Sequence, residues 1–284
     1  MKILVTGGNG QLGFEVVKKL RFLKKEHWGT GRRDFDINNE KQTKEFIYAK
    51  QPDIIIHCAA FTGVDRAEEE KELSYSTNVL GTRYLAQACL NLNAKMVYIS
   101  TDYVFDGEKG SPYKTTDQPN PINFYGETKY QGELEVKKVL EKFFILRTSW
   151  FFGLHGDNFA KKIRALGRVQ NEINVVEDQI GSPTYSSDLA QLIIGMMETE
   201  KYGIYHATNQ EYCSRYDFAR EIFSLGNIRC KVKPVNSDFF PTKAKRPKDS
   251  RLDNQKLLDN KIFLMRSYKK ALEEFLGGIS NLDF

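Results

Sequence analysis

Residues 2–13 read KILVTGGNGQLG, a short apolar run followed by a string of glycines. The apolar run predicts a buried β-strand. The glycines fit the pattern Gly-x-Gly-x-x-Gly at Gly8, Gly10 and Gly13, and a looser form of it that starts at Gly7. Glycine lets the backbone turn tightly and approach a pyrophosphate, whose charge the N–H groups of the following helix bind. Because the string lies between a strand and an amphipathic helix, it predicts a dinucleotide-binding loop.

Apolar strand patterns alternate with helical patterns along the first half of the chain. The strand patterns recur at 53–58, 95–100 and 143–147, and the helical patterns lie at 11–23, 40–50, 69–91 and 125–142. This alternation predicts an α/β fold with a Rossmann-type, doubly wound parallel sheet. After about residue 150 the strand patterns become shorter and less regular. We therefore predict an NADP-binding domain over 1–150 and a smaller α/β substrate domain over 151–284, with a return to the sheet left open.

Composition narrows the class of protein. The four cysteines and four histidines show no spacing typical of a metal site or a disulfide framework, so we predict neither. The sequence has no signal-peptide pattern and no apolar run long enough to cross a membrane, which favours a cytoplasmic protein. The formal net charge of +5 comes without the dense basic patch of a nucleic-acid-binding protein. A slight basic excess suits ligands that carry phosphates.

Two arginines point to the form of the dinucleotide. About twenty residues after the glycines, an NAD enzyme is expected to place an acidic residue for the ribose hydroxyls. Here Arg32 and Arg33 stand at that place and Asp34 follows them. Guanidinium groups pair well with phosphate, so the two arginines favour the 2′-phosphate of NADPH. Asp34 keeps NADH open.

A tyrosine and a lysine form the predicted proton-transfer site. Tyr125 and Lys129 are four residues apart at the start of a helical pattern, so both side chains lie on one face. The ammonium is expected to lower the pKa of the phenol, which is about 10 in a free tyrosine. Thr101 follows the strand pattern at 95–100 and is expected to hydrogen-bond a substrate carbonyl and orient Tyr125. Asn78, in the preceding helical pattern, is a candidate to hold a water molecule near the lysine.

Eight ordered segments together resemble the extended short-chain dehydrogenase/reductase family, and within it the reductases that act on dTDP-4-dehydro-L-rhamnose. The segments are 6–13, 57–65, 100–105, 125–129, 147–150, 158–159, 178–184 and 246–252. The resemblance implies hydride transfer from NADPH to C4 of the sugar while Tyr125 protonates the oxygen. It places the reaction in dTDP-rhamnose and polysaccharide biosynthesis.

The same resemblance implies the residues that bind the cofactor. Gly10, Gln11 and Leu12 would hold the phosphates, within a loop that includes Gly7 and Gly13. Asp36 and Ile37 would lie on the adenine side. The nicotinamide half would be lined by Ala60, Phe61 and Thr62, together with Tyr125 and Lys129.

The sugar nucleotide would be contacted by Thr101, Asp102, Trp150 and Asn158. Trp150 is equally well interpreted as a core aromatic residue. Arg246 and Arg251 are predicted to clamp the diphosphate from the second domain. Lys243, Lys245 and Lys248 nearby fit a solvated basic loop almost as well.

One feature of the family is in doubt. Some members bind magnesium at a dimer contact through acidic residues, one of them near Glu15. In this sequence the second acidic position falls at Ser187, with Asp188 one place along. We therefore predict no metal, and both a monomer and a homodimer stay open.

Three other functions are weighed against this reductase. The family's dehydratases place Asp-Glu after the active-site threonine, whereas here Tyr103 follows Asp102, which disfavours dehydration. A 4-ketoreductase that makes another 6-deoxyhexose nucleotide stays open. So does a non-catalytic, NADP-binding regulatory subunit, although such a protein has no need of the complete set of Thr101, Tyr125 and Lys129.

Overall fold

A six-stranded parallel sheet lies at the centre of the computed structural model, which describes residues 1–280. The strands are β1 (Ile3–Thr6), β2 (His27–Thr30), β3 (Ile54–His57), β4 (Lys95–Thr101), β5 (Phe143–Thr148), β6 (Phe151–Phe152), β7 (Glu172–Val176), β8 (Ile180–Gly181), β9 (Thr184–Tyr185), β10 (Gly203–His206), β11 (Cys213–Ser214) and β12 (Lys231–Val235). The central sheet has the order β10-β5-β4-β3-β1-β2. This is the doubly wound α/β fold predicted from the alternation.

The helices cover both faces of this sheet. They are α1 (Gln11–Phe22), α2 (Glu40–Lys50), α3 (Val64–Glu69), α4 (Lys71–Tyr75), α5 (Gly81–Leu92), α6 (Phe124–Val139), α7 (Phe159–Val169), α8 (Ser186–Met197), α9 (Arg215–Leu225), α10 (Gln255–Asp259) and α11 (Tyr268–Ser280). A π-helical turn covers Ser76–Leu80, and short 3₁₀ helices cover Asp102–Val104 and Ser237–Phe239. No helix within residues 1–280 has the length and apolar character needed to cross a membrane.

The strands are buried on both sides, as a parallel sheet requires. All four residues of β1 and all four of β3 are buried. Along β1, Ile3 and Val5 pack with α1 and α8 on one face, whereas Leu4 packs with α2 and α5 on the other. The continuous apolar runs in the sequence therefore reflect two separate cores, one on each side of the sheet.

The second half of the chain returns to the central sheet. Strand β10 pairs in parallel with β5, and α8 packs against α1. The rest of the second half forms its own core from α7, α9, α11 and short strand pairs, with Phe152, Phe218 and Phe275 fully buried in it.

The helical pattern predicted over 69–91 is interrupted in the structure. Glu70 leaves helical geometry with φ −97° and ψ 49°, and the π-helical turn follows before α5 begins. The wider turn contains Asn78, whose buried side chain hydrogen-bonds the backbone of Phe61 and the hydroxyl of Thr128. The predicted helical stretch is therefore helical from Lys71 to Leu92, and the π-helical turn within it leaves no signal in the local periodicity.

The switch in strand order positions the functional site. The chain runs from β1 to β2 in one direction and then crosses back to β3 on the other side of β1. In open parallel sheets, ligands bind at the carboxyl ends of strands beside such a switch. Thr6, His57, Thr101 and Thr148 end neighbouring strands at this edge.

Candidate active site

A cavity of about 1120 Å³ lies at the carboxyl edge of the sheet. Its walls come from the glycine loop, from the ends of β3, β4 and β5, and from α6. The second half of the chain contributes Trp150, Asn158 and Arg215. Most of the predicted cofactor residues and all of the predicted proton-transfer residues line this one cavity.

Two glycines of the loop are sterically required. Gly7 has φ +66°, and a Cβ there would lie 2.7 Å from the backbone nitrogen of Ala59. A Cβ on Gly13 would lie 2.1 Å from the carbonyl oxygen of Gly7. Gly7, Gly10, Gln11 and Leu12 line the cavity, whereas Gly13 lies behind the loop and lets α1 approach it. Side chains at these two positions would clash with the backbone and push the loop out of its present shape.

The far end of the cavity carries the two arginines. Arg32 and Arg33 are exposed and line it together with Asp36 and Ile37. The carboxylate of Asp34 instead accepts a hydrogen bond of 2.8 Å from the backbone nitrogen of Gly31. The acidic residue that kept NADH open is therefore engaged in closing its own turn.

Two of the three residues predicted for the nicotinamide half line the cavity. Ala60 and Thr62 do so, but Phe61 does not. Its ring is buried 5.2 Å from the guanidinium carbon of Arg66, and its backbone N–H and carbonyl are bound by the side chain of Asn78. Phe61 does not line the cavity in this structure, and its role at the nicotinamide half stays a prediction. The side chain of Asn78 is engaged with the backbone of Phe61 and with the hydroxyl of Thr128.

The three predicted catalytic residues meet in one wall. Thr101 ends β4, while Tyr125 and Lys129 lie on the first two turns of α6, and all three line the cavity. A Cβ on Gly126 would lie 2.1 Å from the carbonyl oxygen of Tyr103, so glycine lets α6 contact the end of β4 directly. The side chain of Asn123 caps α6 by accepting a 2.8 Å hydrogen bond from the nitrogen of Gly126.

The electrostatics of Tyr125 differ from the expectation. Desolvation in the cavity wall raises the pKa of Tyr125 well above its ordinary value, and the hydroxyl of Thr101 opposes this effect. The sequence had predicted a pKa lowered by Lys129. The shift has the opposite direction because burial of the phenol is the largest cause, the charges of Asp102 and Tyr103 add to it, and only the hydrogen bond with Thr101 opposes it. Tyr125 is therefore protonated at neutral pH, which is the state a proton donor needs.

Lys129 is only 3% exposed, and its Nζ lies 4.1 Å from the centre of the Tyr98 ring. Burial lowers the pKa of Lys129 to about 7, against the opposing charge of Glu133. Glu133 in turn accepts a 2.6 Å hydrogen bond from Ser100 and forms a buried ion pair with Arg147. The sequence analysis missed this pair, although Glu133 follows Lys129 by four residues and so lies on the same face of α6.

Asp102 links the two halves of the chain at the cavity. Its carboxylate accepts hydrogen bonds from the hydroxyl of Thr101 at 3.0 Å and from that of Ser250 at 2.6 Å. Burial raises the pKa of Asp102 to about 6, partly opposed by these hydrogen bonds and by the charge of Arg215. Ser250 belongs to the segment 246–252 that carried part of the family resemblance.

Trp150 lines the cavity in an unusual backbone conformation, with φ +46°. The guanidinium carbon of Arg215 lies 3.5 Å from the centre of its ring. A Cβ on Gly181 would lie 2.5 Å from the indole, so this glycine makes room for it. The indole is half-buried, so it packs against the second core and also borders the cavity.

Three residues predicted to bind substrate have other partners. Asn158 lines the cavity, but its amide caps α7, accepting from the nitrogen of Lys161 and donating to the carbonyl of Gly153. Arg246 forms a bidentate pair with Asp65 at 2.8 and 3.1 Å.

Arg251 is engaged in the same way. It pairs with Asp249 at 2.6 and 2.7 Å, and neither it nor Arg246 lines the cavity. Each guanidinium is bound to a carboxylate in this structure, and the diphosphate clamp at Arg246 and Arg251 stays a prediction. Arg215 does line the cavity, and no local sequence signal distinguishes it from a surface arginine.

The acidic residues considered for a magnesium site have other surroundings in the structure. Asp188 forms a bidentate pair with Arg266 at 3.0 Å for each contact, and Arg266 contacts Glu274 at 2.7 Å. Glu15 is buried in α1. Within residues 1–280 no group of three or more acidic, histidine or cysteine side chains is placed to hold a metal ion.

Known proteins resemble this chain over nearly its whole length. Residues 1–280 match the family described as RmlD substrate binding domain. A dTDP-4-dehydrorhamnose reductase from Aggregatibacter actinomycetemcomitans is 41% identical over 272 residues, which cover 90% of this chain and 92% of that protein.

Two solved structures of proteins with the same name share the fold closely. The crystal structure from Clostridium acetobutylicum has a TM-score of 0.96 and 42% identity, and the match covers all of both chains. The structure from Bacillus anthracis, which is in complex with NADP, has a TM-score of 0.94 and 43% identity over 96% of this chain and 98% of that one.

Proposed function

The chain belongs to the RmlD substrate binding domain family, and from this membership we propose that it reduces dTDP-4-dehydro-L-rhamnose to dTDP-L-rhamnose with NADPH. The observation that carries the proposal is the single cavity in which the glycine cradle, Arg32 and Arg33 share walls with Thr101, Tyr125 and Lys129. The chemistry is reduction of a ketone to an alcohol.

The cavity fits NADPH by the chemistry of its walls. The backbone of Gly10, Gln11 and Leu12 would hold the pyrophosphate, in a loop whose shape allows no side chain at Gly7 or Gly13. Arg32 and Arg33 would pair with the 2′-phosphate. Asp36 and Ile37 would border the adenine side, and Ala60 and Thr62 the nicotinamide half. NADPH bound in this way supplies the hydride.

The protein supplies the proton. Tyr125 is protonated at neutral pH, so its hydroxyl can hydrogen-bond the C4 carbonyl oxygen and transfer its proton as the carbon is reduced. Thr101 would hold the same oxygen and the phenol in line. The phenolate left on Tyr125 would be stabilised by the ammonium form of Lys129. The ketone, the hydride and the proton together give the alcohol.

We assign residues 1–150 mainly to the cofactor and 151–284 mainly to the sugar nucleotide. Trp150 and Asp102 line the same cavity as Tyr125, and the charge of Asp102 acts on the phenol, which supports a role for both in contacting the sugar. We also place the reaction in the cytoplasm, because all four cysteines are unpaired thiols, as expected in a reducing compartment.

The test is turnover of the defined substrate. Purified protein is mixed with NADPH and enzymatically prepared dTDP-4-dehydro-L-rhamnose, the loss of nicotinamide absorbance is followed, and the sugar product is identified. Loss of NADPH with formation of dTDP-L-rhamnose is expected. Another epimer as product would replace the named substrate while keeping the chemistry. A folded protein that binds NADPH and gives no turnover with this or any other 4-keto sugar nucleotide would favour the regulatory alternative.

A further inference from the structure

We propose that Arg215 binds the diphosphate of the sugar nucleotide and positions the indole of Trp150 beside the sugar. The proposal rests on the function proposed above and assigns a residue that the sequence did not indicate. Arg215 is the first residue of α9, and its side chain lines the main cavity.

The guanidinium of Arg215 has no direct carboxylate partner. Within residues 1–280 no hydrogen bond or ion pair of its side chain is formed, and it lies over the rings of Trp150 at 3.5 Å and Phe159 at 5.1 Å. The charge of Asp102 acts on it through space only, and that of Arg246 opposes this effect. A desolvated guanidinium without a hydrogen-bonded anion can gain one from a ligand that enters the cavity.

Other arginines of the second half, in contrast, are paired with carboxylates. Arg246, Arg251 and Arg266 each contact a carboxylate in bidentate geometry. Arg32 and Arg33 line the same cavity, but they lie beyond the glycine loop at the adenine side. Among the arginines described in the second half, Arg215 is therefore the one that lines the cavity without a carboxylate partner.

The position of Arg215 fits the diphosphate rather than the sugar. Its charge acts on Asp102 and Tyr103, which directly follow Thr101 at the end of β4. The reacting carbonyl belongs between Thr101 and Tyr125, so a group that binds at Arg215 is held a short way from the reacting carbon. A diphosphate diester carries two negative charges, and its oxygens match the forked donors of a guanidinium.

Contact with Trp150 gives the arginine a second role. The backbone of Trp150 is in the left-handed region, which a bulky residue adopts at some cost in energy. Arg215 packs on the ring, and Gly181 leaves room for the indole. When a diphosphate fixes the guanidinium, the indole is fixed with it. Arg215 thus acts on the sugar as a positioning residue and on the diphosphate by direct contact.

The first experiment separates charge recognition from nucleoside recognition. The affinities of dTDP and of thymidine for the NADPH-loaded protein are measured by calorimetry for the wild type and for Arg215→Ala. The expected loss is about tenfold to a hundredfold for dTDP, the range for charge-assisted hydrogen bonds, with little change for thymidine. Arg220→Ala is the matched control, because Arg220 lies exposed on the same helix and is expected to leave both affinities unchanged.

Each other result overturns the proposal in a recognisable way. Equal dTDP affinity in wild type and Arg215→Ala would show that Arg215 does not bind the diphosphate. Equal losses for dTDP and thymidine would assign it a structural role. If the wild type reduces the keto sugar but does not bind dTDP, the inference fails while the proposed function stands. If the wild type does neither, both fail.

A second variant and a spectroscopic signal guard against simple misfolding. Arg215→Lys keeps the charge and is expected to recover part of the dTDP affinity but not the contact with Trp150. In a Trp28→Phe background, Trp150 is the remaining tryptophan, so its fluorescence reports the indole directly. We expect dTDP to change this fluorescence when Arg215 is present, and to change it much less when Arg215→Lys is added. The same change in both would overturn the positioning role.

Discussion

Glu133 and Arg147 form a bidentate ion pair beneath Lys129, with contacts of 2.9 and 2.7 Å between guanidinium nitrogens and carboxylate oxygens. Both side chains are almost completely buried. Ser100 donates to the same carboxylate, so the pair ties the middle of α6 to the ends of β4 and β5. The catalytic face of α6 thus rests on a charged contact inside the protein.

Removal of one partner of this pair is expected to be costly. Glu133→Gln leaves the buried guanidinium of Arg147 without its counter-charge, for an expected loss of about 3–5 kcal/mol in the free energy of unfolding. The double variant Glu133→Gln/Arg147→Met removes both charges and is expected to lose less than Glu133→Gln alone. Urea denaturation of the two proteins checks this order. If the double variant is the less stable one, the pair is not the source of the effect.

Lys129 is expected to make stability depend on alkaline pH. Its pKa is lowered from 10.5 to about 7 in the folded chain, so between these values the unfolded chain binds more protons. Stability therefore rises with pH across this window, and the contribution is lost as pH falls through about 7. Lys129→Met is expected to flatten the rise, which amounts to a difference on the order of 4 kcal/mol. Denaturant titrations of the cofactor-free proteins from pH 6 to 10 measure it, and parallel curves would contradict the assignment.

Asp102 is expected to make the free energy of unfolding depend on pH in a separate, acidic range. Burial raises its pKa from 3.8 to about 6, so its contribution to stability is fully present below 3.8 and lost as pH rises through about 6. Asp102→Asn removes this loss and is expected to stabilise the protein at pH 8 by on the order of 3 kcal/mol, with the difference vanishing toward pH 4. The same denaturant titrations, extended to acid, compare the two. A difference that does not change with pH would assign the effect to packing instead.

Tyr125→Phe is expected to nearly abolish turnover, because it removes the proton donor and keeps the ring. A loss of about a hundredfold to ten-thousandfold in kcat is typical of a general acid. The affinity for NADPH should stay the same, which fluorescence titration of the cofactor measures. Tyr103→Phe removes a neighbouring phenol that packs edge-on against Tyr125 and is expected to cost much less. Unchanged turnover in Tyr125→Phe would remove this residue from the mechanism.

Replacement of Arg32 and Arg33 by alanine is expected to discriminate between the two nicotinamide cofactors. The variant loses the groups that face the 2′-phosphate, so its affinity for NADPH should fall by about tenfold or more. Its affinity for NADH, which lacks that phosphate, serves as the internal control and should change little. Equal losses for both cofactors would mean that the arginines support the loop and do not recognise the phosphate.

The sequence predicted those features that depend on local pattern. The buried strands and the glycine loop follow from apolar runs and from steric limits on the backbone at Gly7 and Gly13, and these act over a few residues. The proximity of Tyr125 and Lys129 follows from helical spacing. Their convergence with Thr101 follows from the rule for parallel sheets.

The remaining features depend on contacts between residues that are distant in sequence. The pairing of Arg246 with Asp65 joins residues 181 positions apart, and no local pattern indicates it. Arg215 carries no local signal of a site, and only the fold places its guanidinium on the indole of Trp150. The pKa of Tyr125 could not be inferred from Lys129 alone, because its direction depends on how completely the fold desolvates the phenol.

The return of β10 to the central sheet limits how this protein can be divided. A chain cut after residue 150 would leave the outer edge of β5 without its neighbouring strand, and it would strip α8 from the apolar face of α1. Such a fragment would expose both an unpaired strand and part of a core, which are the features that promote aggregation. The second half of the chain therefore cannot be exchanged between relatives as one block: a chimaera must carry 186–206 together with the sheet that this segment completes.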